Sequence, residues 1–240
     1  MPSSSFFLLL SFSLLLRSVY GADYLYHFCS ASQNFTSKGP FEANLNKLAG
    51  NLYLQVPKLG FGFGSSGQKP DQVFGLGLCR GDVSPSDCKK CVANASGEIR
   101  KRCPTNKAAV IWYDNCLYKH SHEKFFGRID NKNKVYMWNV KVVNKTAQFN
   151  EEIRELLHEL VDEAHETPKL YKTGDSEIED SKTKLYGLVQ CTRDLSNGDC
   201  KKCLTGIIGE LRSCCDGKVG GRIISGSCNF RYEIYPFYKA

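Results

Sequence analysis

The segment from Cys79 to Cys116 contains the pentapeptide Asp87-Cys88-Lys89-Lys90-Cys91, which returns as Asp199-Cys200-Lys201-Lys202-Cys203. Three other cysteines of the segment also return, and the two members of every pair are 112 positions apart. The first five are Cys79, Cys88, Cys91, Cys103 and Cys116, and their counterparts are Cys191, Cys200, Cys203, Cys215 and Cys228. Because this spacing is kept without insertion or deletion, it predicts a tandem duplication of a cysteine-stapled domain.

The length and composition agree with two such domains. With 240 residues and 12 cysteines, each unit has enough chain for a modest core that disulfides reinforce. The net charge of +7 is uneven, since residues 151–180 carry 11 acidic and 3 basic side chains. Charges of both signs alternate along the chain. We therefore interpret the basic excess as ordinary solvation and expect no nucleic-acid partner.

Residues 1–21 are typical of a cleaved signal peptide. Their apolar run, residues 6–16, is shorter than the roughly 20 residues that a membrane-spanning helix needs. Val19-Tyr20-Gly21 suits cleavage after Gly21, although the segment has Arg17 after its apolar run and no basic residue before it. Twelve cysteines favour an oxidising compartment. We predict an exported, soluble mature chain without a transmembrane anchor.

The pattern of the first domain, residues 22–126, predicts a mixed structure. A strand over 24–28 precedes a helix that starts at Pro40, has an apolar face and stops before Pro57. Residues 62–67 match the dinucleotide fingerprint G-x-G-x-x-G, but no strand precedes them and no helix follows, so we predict a flexible loop. A strand over 73–80, a helix capped by Ser86 or Asp87 and a hairpin over 107–126 complete the domain.

The second domain, residues 135–240, repeats this order after a polar linker, residues 127–134. A strand over 135–140 and an amphipathic helix containing Phe149 to Ala164 lead to a loop centred on Gly174. The remaining predicted elements are a strand at 184–191, a helix at 199–212 and strands near 219–225 and 228–238. Two helices and about five antiparallel strands in each unit predict the α+β class.

The C-x2-C pairs could serve zinc binding or thioredoxin-like redox chemistry, but an exported chain favours structural disulfides. Spacing alone leaves fifteen possible connectivities for six cysteines. The sequence His158-Glu159 starts like a zinc-protease motif, but Asp162 replaces the second histidine. We therefore predict no metal, no cofactor and no enzymatic activity.

Three sequons suit N-glycosylation of an exported chain, and they begin at Asn34, Asn94 and Asn144. We expect one or two of them to be used. Asn94 is the doubtful one because it lies on the predicted cysteine helix.

The arrangement C-x8-C-x2-C-x11-C-x12-C, present twice, resembles the plant cysteine-rich repeat secretory proteins. Their unit is the ginkbilobin-type stress-antifungal domain, which also occurs outside the membrane in cysteine-rich receptor kinases and plasmodesmata-located proteins. The closing runs Cys214 to Arg222 and Cys228 to Tyr238 are especially similar to the second domain of that family. The resemblance covers the whole mature chain and implies two helices on a five-stranded antiparallel sheet in each domain.

The resemblance also implies a disulfide pattern. The implied bridges are Cys29–Cys103, Cys79–Cys88, Cys91–Cys116, Cys191–Cys200 and Cys203–Cys228. The second domain departs from the family because no cysteine precedes Cys191 in it, so Cys215 lacks its usual partner and Cys214 is additional. These two could form a vicinal disulfide, pair with another chain or stay reduced.

Some members of the family bind mannose through an asparagine, an arginine and a glutamate. The resemblance places these roles on Asn139, Arg222 and Glu233 in the second domain. An amide, a planar guanidinium fork and a carboxylate are suited to sugar hydroxyls. The alternative is that Arg222 and Glu233 merely pair across adjacent strands. In the first domain the matching positions hold Ser30, Val110 and Ser121, so no such site is expected there.

These expectations define a secreted, apoplastic plant stress or defence protein that is not an enzyme. Its expected partners are mannose-containing glycans, bound weakly by the second domain. The alternatives are a protein-interaction module that binds cell-surface receptor ectodomains of the same family, and a thiol-redox protein. Antifungal activity is a further expectation from the resemblance.

Overall fold

The computed structural model describes residues 23–178 and 183–239. The predicted signal peptide, residues 1–21, lies outside the described residues. Within the described ranges, no helix combines the length and apolar character needed to cross a membrane.

Each half of the chain forms one five-stranded antiparallel sheet, which confirms the predicted α+β class. The first half has the order β1 (Tyr24–Cys29), α1 (Pro40–Leu59), β2 (Phe61–Ser66), β3 (Val73–Cys79), α2 (Pro85–Arg102), β4 (Ala109–Tyr113) and β5 (Cys116–Ser121). The second half has β6 (Lys134–Trp138), α3 (Thr146–Ala164), β7 (Tyr171–Glu177), β8 (Lys184–Cys191), α4 (Asn197–Ile208), α5 (Leu211–Cys215), β9 (Gly220–Ser225) and β10 (Cys228–Glu233). The strand orders are β1-β4-β5-β3-β2 and β6-β9-β10-β8-β7.

The helices cover one face of each sheet and enclose a separate core there. In the first domain, Leu45, Leu48 and Leu52 of α1 pack with Val92 and Ile99 of α2. The corresponding apolar face of α3 packs against α4 in the second domain. The predicted apolar helix faces are therefore the ones that are buried.

The opposite faces of the two sheets contribute to a third apolar cluster. Trp112 and Val110 of β4 and Leu76 of β3 pack in this cluster with Ile224 of β9. Hydrogen bonds also cross between the domains here, including those from Trp112 Nε1 to the Ser225 carbonyl (3.2 Å) and from Gln190 Nε2 to the Cys79 carbonyl (3.0 Å). Since helices cover one face and the partner domain the other, every residue of β4 is buried.

Two segments predicted as loops are edge strands instead. Residues 62–67 fall largely in β2, and Gly174 lies within β7. In the ladders, Gly62 faces Gly77 and Gly174 faces Gly187. A methyl group on Gly174 would lie 2.9 Å from Leu160 of α3, so the glycine permits the helix to lie directly on the sheet. A glycine-rich composition therefore reflects close packing here rather than flexibility.

The predicted end of α1 before Pro57 was wrong, because the helix continues to Leu59. Proline removes only one N–H from the last turn, and the preceding Val56 is fully buried. Gly60, in the left-handed conformation with φ 74°, caps the helix after Leu59. The start of α2 also differs, since Ser84 is its N-cap and accepts from the Asp87 N–H. The helix predicted over 199–212 is divided into α4 and α5.

The structure joins the cysteines in six pairs. Five pairs are Cys29–Cys103, Cys79–Cys88, Cys91–Cys116, Cys191–Cys200 and Cys203–Cys228. The sixth is the vicinal pair Cys214–Cys215. The two cysteines of each C-x2-C thus have different partners, and no described cysteine is a free thiol. This arrangement contradicts a zinc site or a thioredoxin-like C-x2-C bridge at these positions.

Candidate functional site

Asn139, Arg222 and Glu233 come from three neighbouring strands of the second sheet. Arg222 lies in β9, between Met137 of β6 and Arg231 of β10. Asn139 follows β6, and its N–H donates to the Gly220 carbonyl at 2.8 Å, while Glu233 pairs in register with Gly220. The sheet register therefore brings the three side chains to one end of β9.

The Arg222 guanidinium forms an ion pair with the first domain. Its Nη1 donates to Asp114 Oδ1 at 2.6 Å, and only 10% of the Arg222 side chain is exposed. Burial lowers the pKa of Arg222 to about 10, against the opposing effect of Asp114, so the guanidinium remains charged at neutral pH. Arg222 is therefore held in place by a carboxylate 108 residues away in the chain.

Asp114 is the centre of this charged group. It accepts from Arg80 Nη1 at 2.9 Å and from Arg231 Nη1 at 3.4 Å as well as from Arg222. Burial alone would raise the pKa of the Asp114 carboxyl, but the three guanidiniums, with Arg222 contributing most, lower it below its ordinary value. Asp114 is consequently ionised and links the two domains.

Glu233 pairs with Arg231 of its own strand, at 3.0 Å from Nη2 to Oε1. Among the described residues, the ion pairs thus join Arg222 to Asp114 and Glu233 to Arg231, so the alternative of a cross-strand pair between Arg222 and Glu233 is wrong. Arg222 Nε and Glu233 Oε2 are buried without a hydrogen-bond partner in the described part of the chain. One donor and one acceptor at this site are therefore buried without a partner.

The three predicted residues line one open cleft of about 400 Å³ between the domains. Asp23, Leu25 and Asp114 contribute from the first domain. The second domain adds Trp138, which is 54% exposed, beside Asn139. An apolar ring beside a few polar groups is a common arrangement for binding a small polar ligand.

The matching positions of the first domain also converge. Ser30, Val110 and Ser121 line a second cleft of about 520 Å³. Its charged pair is Lys119–Asp130, at 2.5 Å from Nζ to Oδ2, and Ser121 Oγ accepts from the Glu123 N–H. The first domain therefore also has a cleft at this place in the fold, but none of its three matching residues carries a guanidinium or a carboxylate.

Sequence reasoning missed Asp114, Arg231, Asp23 and Trp138 as members of the site. Asp114 lies within the hairpin predicted over 107–126, and the residue 112 positions later is Gly226, so the repeat does not reveal it. Arg231 could have been found, because its counterpart Lys119 is also basic. The side chains of Asn34, Asn94 and Asn144, the predicted glycosylation positions, are exposed.

Comparison with known proteins agrees with the tandem architecture. The salt stress response/antifungal domain matches residues 28–123 and again 138–235. The "Antimicrobial ginkbilobin-2-like protein" of Castanea crenata is 54% identical over 98% of this chain and 96% of that protein. "Cysteine-rich repeat secretory protein 38" of Arabidopsis thaliana is 52% identical over 96% of this chain and 92% of that protein.

A solved structure shows the same arrangement. The tandem DUF26 ectodomain of the Arabidopsis thaliana cysteine-rich receptor-like protein PDLP8 has a TM-score of 0.76 and 26% identity. The alignment covers 88% of this chain and 98% of that ectodomain. With two matched domains and relatives above half identity, this chain belongs to the salt stress response/antifungal (DUF26) family, among the cysteine-rich repeat secretory proteins.

Proposed function

We propose that this chain is a secreted, non-enzymatic stress or defence protein that binds mannose-type glycans weakly through the cleft of its second domain. The observation that carries the proposal is the convergence of Asn139, Arg222 and Glu233 on one cleft beside Trp138. Arg222 Nε and Glu233 Oε2 are a buried donor and a buried acceptor without a partner, and the exposed indole offers a surface for the sugar ring. The apoplast is the proposed location.

The expected affinity is low. The site offers a few hydrogen bonds in an open, solvated cleft, and such sites have dissociation constants between about a micromolar and a millimolar. Asp114 already accepts from Arg222 Nη1, which leaves fewer donors of this guanidinium for a sugar hydroxyl. A neutral sugar suits this site better than an acidic one, because the three carboxylates that line it, Asp23, Asp114 and Glu233, outnumber its two guanidiniums, Arg222 and Arg231.

Titration calorimetry with mannose and mannan tests the proposal. Glu233→Gln and Asn139→Ala should each weaken binding at least tenfold, since each removes a polar partner of the sugar. Arg222 is a poor first target, because its substitution also disturbs the pair with Asp114. Ser121→Ala, at the position that corresponds to Glu233 in the first domain, is the matched control and should leave binding unchanged. Absence of heat at millimolar mannose, together with no retention on mannan, would remove the lectin hypothesis.

A protein-interaction function is a second candidate, favoured by exposed aromatic residues on two edge strands. Tyr24 and Tyr26 lie on β1, and Tyr136 and Trp138 lie on β6, and each strand has only one neighbour in its sheet. Edge strands with exposed aromatic side chains can accept a partner strand. Receptor ectodomains of the same family are the proposed partners. Capture from cell-surface extract that survives deglycosylation of the extract supports this function over glycan binding.

A further inference from the structure

The vicinal pair Cys214–Cys215 is the one place where the cysteine pattern of the second domain departs from that of the first. Cys215 is the counterpart of Cys103, but the position that Cys29 holds in the first sheet, opposite Ala109, is held in the second by Trp138, opposite Gly221. In the first domain, the Cys29–Cys103 bridge ties the end of β1 to the end of α2. In the second, the segment after β6 is held instead by backbone hydrogen bonds, from Val219 N–H to Lys141 O and from Val143 N–H to Gly217 O.

This bridge differs from the other five in what it can stabilise. Its cysteines are adjacent in sequence, whereas the others are separated by 9 to 74 positions. A disulfide stabilises mainly by closing a loop in the unfolded chain, and adjacent residues close no loop. Breaking the Cys214–Cys215 bond therefore releases no chain segment, and the fold can survive its reduction.

The bridge is also open to attack on one side. Cys214 is half-buried at the end of α5, while Cys215 is fully buried. A thiolate can thus approach Cys214 Sγ from solvent. By contrast, both cysteines of Cys79–Cys88, Cys91–Cys116, Cys191–Cys200 and Cys203–Cys228 are buried. Cys29 is half-buried like Cys214, so the Cys29–Cys103 bridge differs from the vicinal pair by the 74-residue separation that it closes and not by access.

The buried sulfur contacts the wall of the cleft. Cys215 Sγ lies 3.9 Å from the Met137 carbonyl oxygen, and a methyl group on Gly221 would lie 2.9 Å from it. Met137 and Gly221 both line the cleft, next to Trp138. The Tyr232 hydroxyl donates to the Cys215 carbonyl at 3.2 Å, which holds the other side of the residue.

We propose that Cys214–Cys215 is a redox-modifiable site that a dithiol reductant opens while the other five bridges remain intact. A reductant thiolate attacks Cys214 Sγ, the bond between the two protein sulfurs breaks, and Cys215 leaves as a thiolate that takes up a proton. The second reductant thiolate then attacks the mixed disulfide, which releases Cys214 and closes the reductant's own disulfide. Two electrons and two protons pass from the reductant to the protein.

Reduction changes the cleft wall, because two thiols cannot stay at bonding distance. Cys215 Sγ is confined by Gly221, Met137 and Tyr232, so the separation of the sulfurs displaces Cys214 outward or moves the end of β6. Movement of the end of β6 would carry Trp138 with it. Any effect on glycan affinity rests on the proposed function, whereas the reduction and the movement of Trp138 do not.

The test is graded reduction of the full-length, folded protein with dithiothreitol, followed by trapping with N-ethylmaleimide and peptide mass mapping. Cys214 and Cys215 should become alkylated at a dithiothreitol concentration at least tenfold lower than any other cysteine needs. Tryptophan emission should change at the same concentration. The double variant Cys214→Ser/Cys215→Ser should lack this step, and Trp138→Phe should keep the alkylation but lose the emission change. Mannan binding, measured before and after reduction, reports on the proposed function separately.

Two outcomes overturn the inference. Reduction of Cys29–Cys103 first, or of all bridges together with unfolding, shows that the vicinal bond is not selectively reducible. Early alkylation of Cys214 and Cys215 without an emission change removes the coupling to the cleft. If mannan binds in neither redox state, the proposed glycan function is wrong. The redox inference is then still tested by the alkylation and the tryptophan emission.

Discussion

Asp114→Asn should destabilise the protein, because Asp114 is the shared partner of three guanidiniums. Removing one member of a buried ion pair costs about 3–5 kcal/mol of unfolding free energy. Here the carboxylate is 27% exposed, and Arg80 and Arg231 keep their pairs with Asp82 and Glu233. Arg222 alone, 10% exposed, is left with a neutral amide. We therefore expect a loss of about 2–3 kcal/mol at neutral pH.

Denaturant unfolding followed by tryptophan emission measures this loss, since Trp112 is buried between the domains. Asp175→Asn is the matched control, because it removes the same charge from an exposed pair with Lys184, at 2.8 Å. Exposed pairs contribute at most about 1 kcal/mol, so this control should stay close to wild type.

The pH dependence gives an independent check on the same residue. The pKa of Asp114 is lowered in the folded state, so its contribution is present above the ordinary aspartate range and is lost as pH falls through the lowered pKa. The difference between wild type and Asp114→Asn should therefore shrink in acid. A loss below about 0.5 kcal/mol at neutral pH, or one equal to that of Asp175→Asn, would refute the view that this ion pair joins the domains.

Three further predictions concern stability. Burial lowers the pKa of His120 to about 4, so the stability that its neutral form contributes is fully present above the ordinary histidine pKa of about 6.5. As the pH falls from about 6.5 to about 4, about 3 kcal/mol of unfolding free energy should be lost. His120→Gln should flatten this pH dependence in acid denaturation, and an unchanged dependence would contradict the assignment. Gly221→Ala should lower stability by about 1–3 kcal/mol because the added methyl group lies 2.7 Å from the Tyr232 ring, whereas Gly206→Ala, with nothing within 4 Å, should raise stability by up to about 1 kcal/mol in thermal melts. Removing the Cys29–Cys103 bridge by paired serine substitutions should cost about 4 kcal/mol, as its separation of 74 residues implies, while the same change at Cys214–Cys215 should cost less than about 1 kcal/mol; equal losses in denaturant unfolding would contradict the loop-closure argument.

The elements that sequence reasoning missed have a common physical cause. β2 and β7 lack the apolar alternation of a strand because their glycines lie under α1 and α3, and it is the pairing with β3 and β8 that makes them strands. Similarly, α1 passes Pro57 because Val56 is buried and Gly60 caps the end, which are properties of the packed helix. The residue pattern of a segment predicts a helix or strand well only where the segment's own apolar residues show which of its faces is buried.

The sequence by itself determined the duplication, the α+β class and the apolar helix faces, since repeated cysteine spacing and helical periodicity are properties of the chain. It also placed Asn139, Arg222 and Glu233 together by resemblance. The tertiary structure decided which groups hold them, because the pairing of Arg222 with Asp114 depends on how two separate sheets pack against each other. A contact between the two repeats, which joins residues 108 positions apart, leaves no periodic signal in the sequence.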